Sequence, residues 1–188
     1  MSGVSDPFPG NMEDEMRNNP LITAYDGHRP VIHAQAFVDV SARLIGRVHI
    51  SPGASVWPMA VLRADDDEIR VQDRAAVLDL ALLEAPEGLP VIIEEEALVS
   101  HGAMIHGAVV RARALVGIGA IVLDGAEIGA GAIIASGSLV TPRTKIPDHA
   151  LVMGSPGKVI RETRPEERQA ARAQITELYD KSRRYMSG

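Results

Sequence analysis

The chain has 188 residues, a formal charge of −6 and no cysteine, which excludes a disulfide framework and thiolate-bound zinc and argues against a nucleic-acid partner. Its apolar residues are aliphatic, with only two Phe, three Tyr and one Trp, so the core must be thin and regular rather than filled by rings. The start, Met1-Ser-Gly-Val-Ser-Asp-Pro-Phe-Pro, has no basic or apolar leader, and no run approaches ~20 apolar residues; the expected location is cytoplasmic, with no membrane partner.

Residues 1–28 carry no periodicity and read as an N-terminal arm. From Ile32 every sixth residue is aliphatic: Ile32, Val38, Leu44, Ile50, Val56, Leu62. After an offset the count resumes at Val71, Val77, Leu83, then at Ile93, Val99, Ile105. It then runs unbroken through Val110, Val116, Val122, Ile128, Ile134, Val140, Ile146 and Val152. Two residues earlier in almost every slot stands a small residue, as in Ala54, Ala60, Ala75, Ala81, Ala97, Ala103, Ala120, Ala132 and Ser138. A helix repeats every 3.6 residues and cannot produce a period of six. A short strand followed by a tight turn can, with the aliphatic side chain inward and the small one at a crowded corner. Gly117 and Gly129 follow inward residues directly, where close backbone approach is expected. Three such sides form an 18-residue coil, and stacked coils lie ~4.8 Å apart. Residues 29–158 are therefore expected to form a parallel β-helix domain.

After Val152 the stretch Gly154-Ser-Pro-Gly-Lys158 reads as a turn. Thr163-Arg-Pro165-Glu166 has the pattern of a capping box with proline early in the helix. Residues 159–188 are expected to hold one helix, from about 164 to 185. Ala171, Ile175, Leu178 and Tyr185 would pack on the coil and shield one of its ends. Arg161, Arg164, Arg168 and Arg172 read as a solvated helix face, with anion binding as the alternative.

Sites are expected where the repeat breaks. Leu62 to Val71 adds three residues and contains Arg63-Ala-Asp65-Asp66-Asp67. Leu83 to Ile93 adds four, and Ile105 to Val110 removes one at His106-Gly107. Counting slots rather than residues puts Arg63, Glu84 and His106 in one column, since each follows its inward residue and each lies three slots from the next. Asp79 and His101 form a second column on another side. Glu84 and His106 can then share a ligand within one chain, whereas His101 can reach it only from a second copy. Asp79 becomes the natural acceptor for the other ring N–H of His101. The remaining acidic run, Asp66-Asp67, reads as solvated. His28, His33, His49 and His149 have no partners at metal-ligand spacing.

Four stretches carry a resemblance: Ser55-Val-Trp-Pro-Met-Ala-Val-Leu-Arg-Ala-Asp65, His101-Gly-Ala-Met-Ile-His-Gly107, Gly117-Ile-Gly-Ala-Ile-Val-Leu-Asp-Gly125 and Val152-Met-Gly-Ser-Pro-Gly-Lys158. On these, residues 44–160 resemble the γ-class carbonic anhydrase-like proteins of the hexapeptide-repeat superfamily. The resemblance implies a mainly β fold, a left-handed parallel β-helix with a C-terminal α-helix, assembled as a homotrimer. It implies zinc or iron at each subunit interface, held by three histidines, two of which match His101 and His106. It also implies hydration of carbon dioxide to bicarbonate by a metal-bound hydroxide, with Arg63 and Asp65 organising the interface and Asp79 near the metal. Asp65 is expected to pair with Arg63 across the trimer.

This sequence departs from that pattern at three points. Glu84 stands where the family has its first metal-binding histidine, Leu78 where it has a glutamine that orients water, and Ala64 where it has glycine. Two histidines and one carboxylate remain a workable zinc set. The departures keep a second reading open, a catalytically inactive trimeric scaffold or binding protein. A third is a CoA-dependent acyltransferase on the same coil, against which the paired His-x₄-His argues.

Overall fold

The computed structural model describes residues 19–187. Residues 1–18, most of the expected arm, lie outside them. The described residues form twenty short strands and one helix, α1 (Pro165–Ser187). The strands wind into a parallel β-helix of about seven coils. On one face Leu115 stands against Ile133 and Ile133 against Leu151, 18 residues apart each time. Lower on that face the steps are Ser55 to Ala76, Ala76 to Leu98 and Leu98 to Leu115. These are three more, four more and one fewer than a regular coil, as the offsets in the repeat require.

The slots fill as their residue types dictate. Leu62, Val77, Leu83, Val99, Ile105, Val116, Ile128 and Ile134 are fully buried in one continuous core, each stabilising the fold by about 1.5–3 kcal/mol. The small residues sit at the corners beside them. Ala103 shows why they must be small: its N–H turns back on the Ser100 carbonyl at 3.1 Å, and its own carbonyl accepts from Leu82 N–H at 2.9 Å. Both backbone groups are committed, and the Cβ points into the crowded interior. At Gly129 a Cβ would lie 2.5 Å from Asp148 N, so the next coil closes only over glycine.

The first break is not a loop. Its three extra residues are absorbed into one long strand, Val61–Val71, which pairs with Arg43–Ile50 around a corner of the prism. The register shifts between Gly46 and Val48. Gly46 has φ +76°, and a Cβ there would lie 2.1 Å from Ala64 O, so this bend requires glycine. The coil also starts earlier than its repeat, because Ile22–Thr23 pairs in parallel with Leu44–Ile45.

Helix α1 departs from expectation in two ways. Its N-cap lies one residue later than the Thr163 pattern implies. Arg164 N–H donates to Glu167 Oε2 at 2.7 Å, and Glu167 N–H donates back to Arg164 O at 3.1 Å. Pro165 therefore takes the first helical position, where its missing N–H costs nothing, and Thr163 is buried instead. The helix also covers a side of the coil rather than an end. Its 23 residues span about 35 Å, matching the stack of coils at about 30 Å. It runs from the last coil back to the first, where Arg183 Nη2 donates to Gln35 O at 2.6 Å. Ile175 is buried with Phe37, Trp57, Ala76, Leu78 and Leu98, and Leu178 and Met186 pack at its edge. The helix lies on a row of large outward apolar residues on that face. Among the described residues no helix is long and apolar enough to cross a membrane.

Candidate metal centre

Arg63, Glu84 and His106 lie on three neighbouring strands, in the register Arg63 to Glu84 to His106. The column read from slot counting is present. All three side chains are half-buried. Arg63 Nη1 donates to Asp65 Oδ2 at 2.8 Å, and Arg63 Nη2 donates to Glu84 Oε1. The hydrogen bonds to Asp65 and then Glu84 hold the Arg63 guanidinium above its ordinary pKa. Asp65 pairs with Arg63 within its own chain, both lying on the same strand. Its other oxygen, Oδ1, is buried without a hydrogen-bond partner.

Glu84 Oε1 lies 3.7 Å from His106 Nε2. On the opposite edge of that ring, His106 Nδ1 is hydrogen-bonded to Asp124 Oδ1. In the second column His101 Nδ1 lies 3.1 Å from Asp79 Oδ2. Each imidazole thus has Nδ1 engaged by a carboxylate and Nε2 free of it. That is the arrangement in which an outer carboxylate fixes the tautomer of a metal-binding histidine.

Within one chain the candidates do not converge. Among the described residues no group of three His, Asp or Glu side chains could hold a metal ion. His101 stands on the neighbouring corner, half exposed, as the slot count requires. Leu78 is 1% exposed and packs with Trp57 and Ile175 beneath α1, so it contributes to the docking of the helix. The residue missed in the sequence was Asp124. It lies two positions after the inward Val122, one coil beyond Ile105 (Ile105 and Val122 are register partners). Slot counting could have found it, had the second position after each inward residue been followed along this column as it was for Asp79 and His101.

The donor set of two imidazoles and one carboxylate suits zinc or iron, and both imidazoles are oriented for ligation. Glu84 is already engaged by Arg63, so this ligand would bind with part of its charge neutralised.

The six-residue repeat and the parallel coil place the molecule among the hexapeptide-repeat proteins. The carnitine operon protein CaiE of Escherichia coli is 34% identical over 157 residues, 84% of this chain and 80% of CaiE. The mitochondrial gamma carbonic anhydrase 1 of Arabidopsis thaliana is 32% identical over 161 residues, 82% of this chain but 58% of that protein's length. Among solved structures, the BC4754 gene product of Bacillus cereus superposes with a TM-score of 0.87 at 36% identity, covering 88% of this chain and 96% of that one. A hexapeptide transferase family protein from Anaplasma phagocytophilum gives 0.84 at 30%, covering 87% and 97%. No family model matches the chain. The chain belongs to the hexapeptide-repeat, γ-carbonic anhydrase-like family.

Proposed function

We propose that the protein works as a homotrimer that holds one zinc or iron ion at each subunit interface and hydrates carbon dioxide with weakened activity. His106 and Glu84 of one protomer and His101 of the next would hold the ion. The single observation that carries this reading is the matched pair of carboxylate-tethered imidazoles, Asp124 on His106 and Asp79 on His101. Surface histidines have no need of such tethers, and the two lie on different sides of the coil. The orphaned Asp65 Oδ1 supports an interface here, since it lacks a donor that a neighbouring subunit could supply.

When bound, a divalent cation supplies the Lewis acidity that makes a nucleophile of water at neutral pH. The chain's own residues do the rest. Asp124 and Asp79 hold the proton on Nδ1 and fix the ring planes. Arg63 holds Glu84 in place and spreads its charge, which makes Glu84 a poorer ligand than a neutral imidazole on the same strand. Leu78, buried under α1, leaves no polar side chain at that position to orient water. Both differences lower the expected rate.

Metal analysis of protein purified without chelators, paired with stopped-flow carbon dioxide hydration, tests the reading. The expected result is one zinc or iron per chain, lost in His106→Ala, with slow hydration that rises in Glu84→His. A metal-free trimer of normal stability and no hydration would overturn it and leave a scaffold or binding protein.

A further inference from the structure

Away from the metal column, a cavity of about 380 Å³ lies between α1 and the coil face. Its apolar part is formed by Leu98, Leu115 and Ile175, and three arginines, Arg74, Arg113 and Arg172, line it as well. Two other arginines near this end of the helix are satisfied: Arg161 pairs with Glu167, and Arg168 donates to Thr163 O. Arg113 and Arg172 have no anionic partner among the described residues. Arg74 lies 3.8 Å from Glu96, the one carboxylate in the lining, and its guanidinium stacks 4.7 Å above the Tyr179 ring. Its Nε is nonetheless buried with no acceptor. A lone arginine on a helix is ordinarily solvated. Three around one carboxylate, one of them stacked in place, make a preformed excess of positive charge beside an apolar wall.

We propose that this cleft binds a small organic anion, a carboxylate carrying an aliphatic body of medium length. The head engages the guanidiniums of Arg113 and Arg172, which offer paired donors to a carboxylate, beside the stacked Arg74. The body lies on Leu98, Leu115 and Ile175. At ~30 Å³ for a molecule the size of water, the cavity has room for about a dozen heavy atoms. The site is separate from the metal column and does not depend on it.

Titration calorimetry of the full-length protein with octanoate, acetate and 1-octanol tests this. Octanoate is expected to bind while acetate, a head without a body, and octanol, a body without a charge, bind at least tenfold more weakly. The double variant Arg113→Ala/Arg172→Ala is expected to lose at least tenfold in octanoate affinity with its circular dichroism and Tm unchanged, and His106→Ala to bind octanoate as the parent does. Octanoate binding no tighter than octanol, binding undiminished in the double variant, or binding abolished by His106→Ala would each overturn the proposal. If the double variant is unstable, the charge-keeping Arg172→Lys, expected to bind several-fold more weakly, serves in its place, and an unchanged affinity there counts against the site.

Discussion

Glu167 shows how much one half-buried residue can organise. Hydrogen bonds from Arg161 and from the Arg164 N–H hold its carboxyl down to about 2 from an ordinary 4.5. It ties the last strand, Lys158–Glu162, to the first turn of α1. A carboxyl with a depressed folded pKa stabilises the fold at every pH above its unfolded value, and that contribution fades as pH falls through the folded one. Thermal stability is therefore expected to drop between about pH 4.5 and about 2. Glu167→Gln should start lower at neutral pH and show a flatter acid limb, read by melting scans across that range. The metal column shows the same scale from the other side. Its residue types were legible because each sits at a fixed step from an inward aliphatic. Which oxygen Arg63 takes, and that Asp124 reaches His106, depend on rotamers that no spacing encodes.

The element whose placement the periodicity left open is α1. Its apolar stripe was readable, and Ile175 is the residue that docks it. Trp57 marks the contact: its ring meets Phe37 at 5.3 Å and Tyr185 at 5.8 Å, and its Nε1 donates to Ser55 Oγ at 3.0 Å. Ile175→Asp puts a charge into that cluster and is expected to cost about 2–5 kcal/mol, the range for emptying or polarising a large buried aliphatic site. The expected readout is a lower Tm and a red shift of the single tryptophan's emission, with the coil's β signal in circular dichroism retained below the transition. The helix was expected to pack on the coil and, in doing so, to shield one of its ends. It lies along a side, where Phe37, Trp57, Leu78 and Leu98 pack with Ile175.

At the scale of the molecule, one corner of the prism stands out. Successive coils turn it at Met59, Leu80, Gly102, Gly119 and Gly137, all at positive φ. Glycine takes that conformation freely, whereas for Met59 and Leu80 it costs about 1 kcal/mol each. Both are also exposed, at 60% and 61%, with Ile118 beside them at 56%. Strained, exposed, apolar residues next to His101 fit a surface that a second copy covers. Light scattering is expected to give three chain masses for the parent protein and one for Leu80→Asp, with the monomer still folded. A Leu80→Asp variant that remains trimeric would place the interface elsewhere.

The coil was decided by the sequence alone. Each residue of a β-helix stacks on its equivalent one coil away, so register becomes arithmetic, and even the breaks of three, four and minus one residues fall where the count along the chain shifts. The two columns, and the need for a second subunit to complete a three-ligand site, followed from the same counting. Only the tertiary structure decided what does not repeat: the side on which α1 lies, the conversion of the first break into a continuous strand at Gly46, the tether from Asp124 to His106, and the arginine-lined cleft under the helix. Those depend on contacts between segments with no common period, where packing area and side-chain rotamers set the outcome.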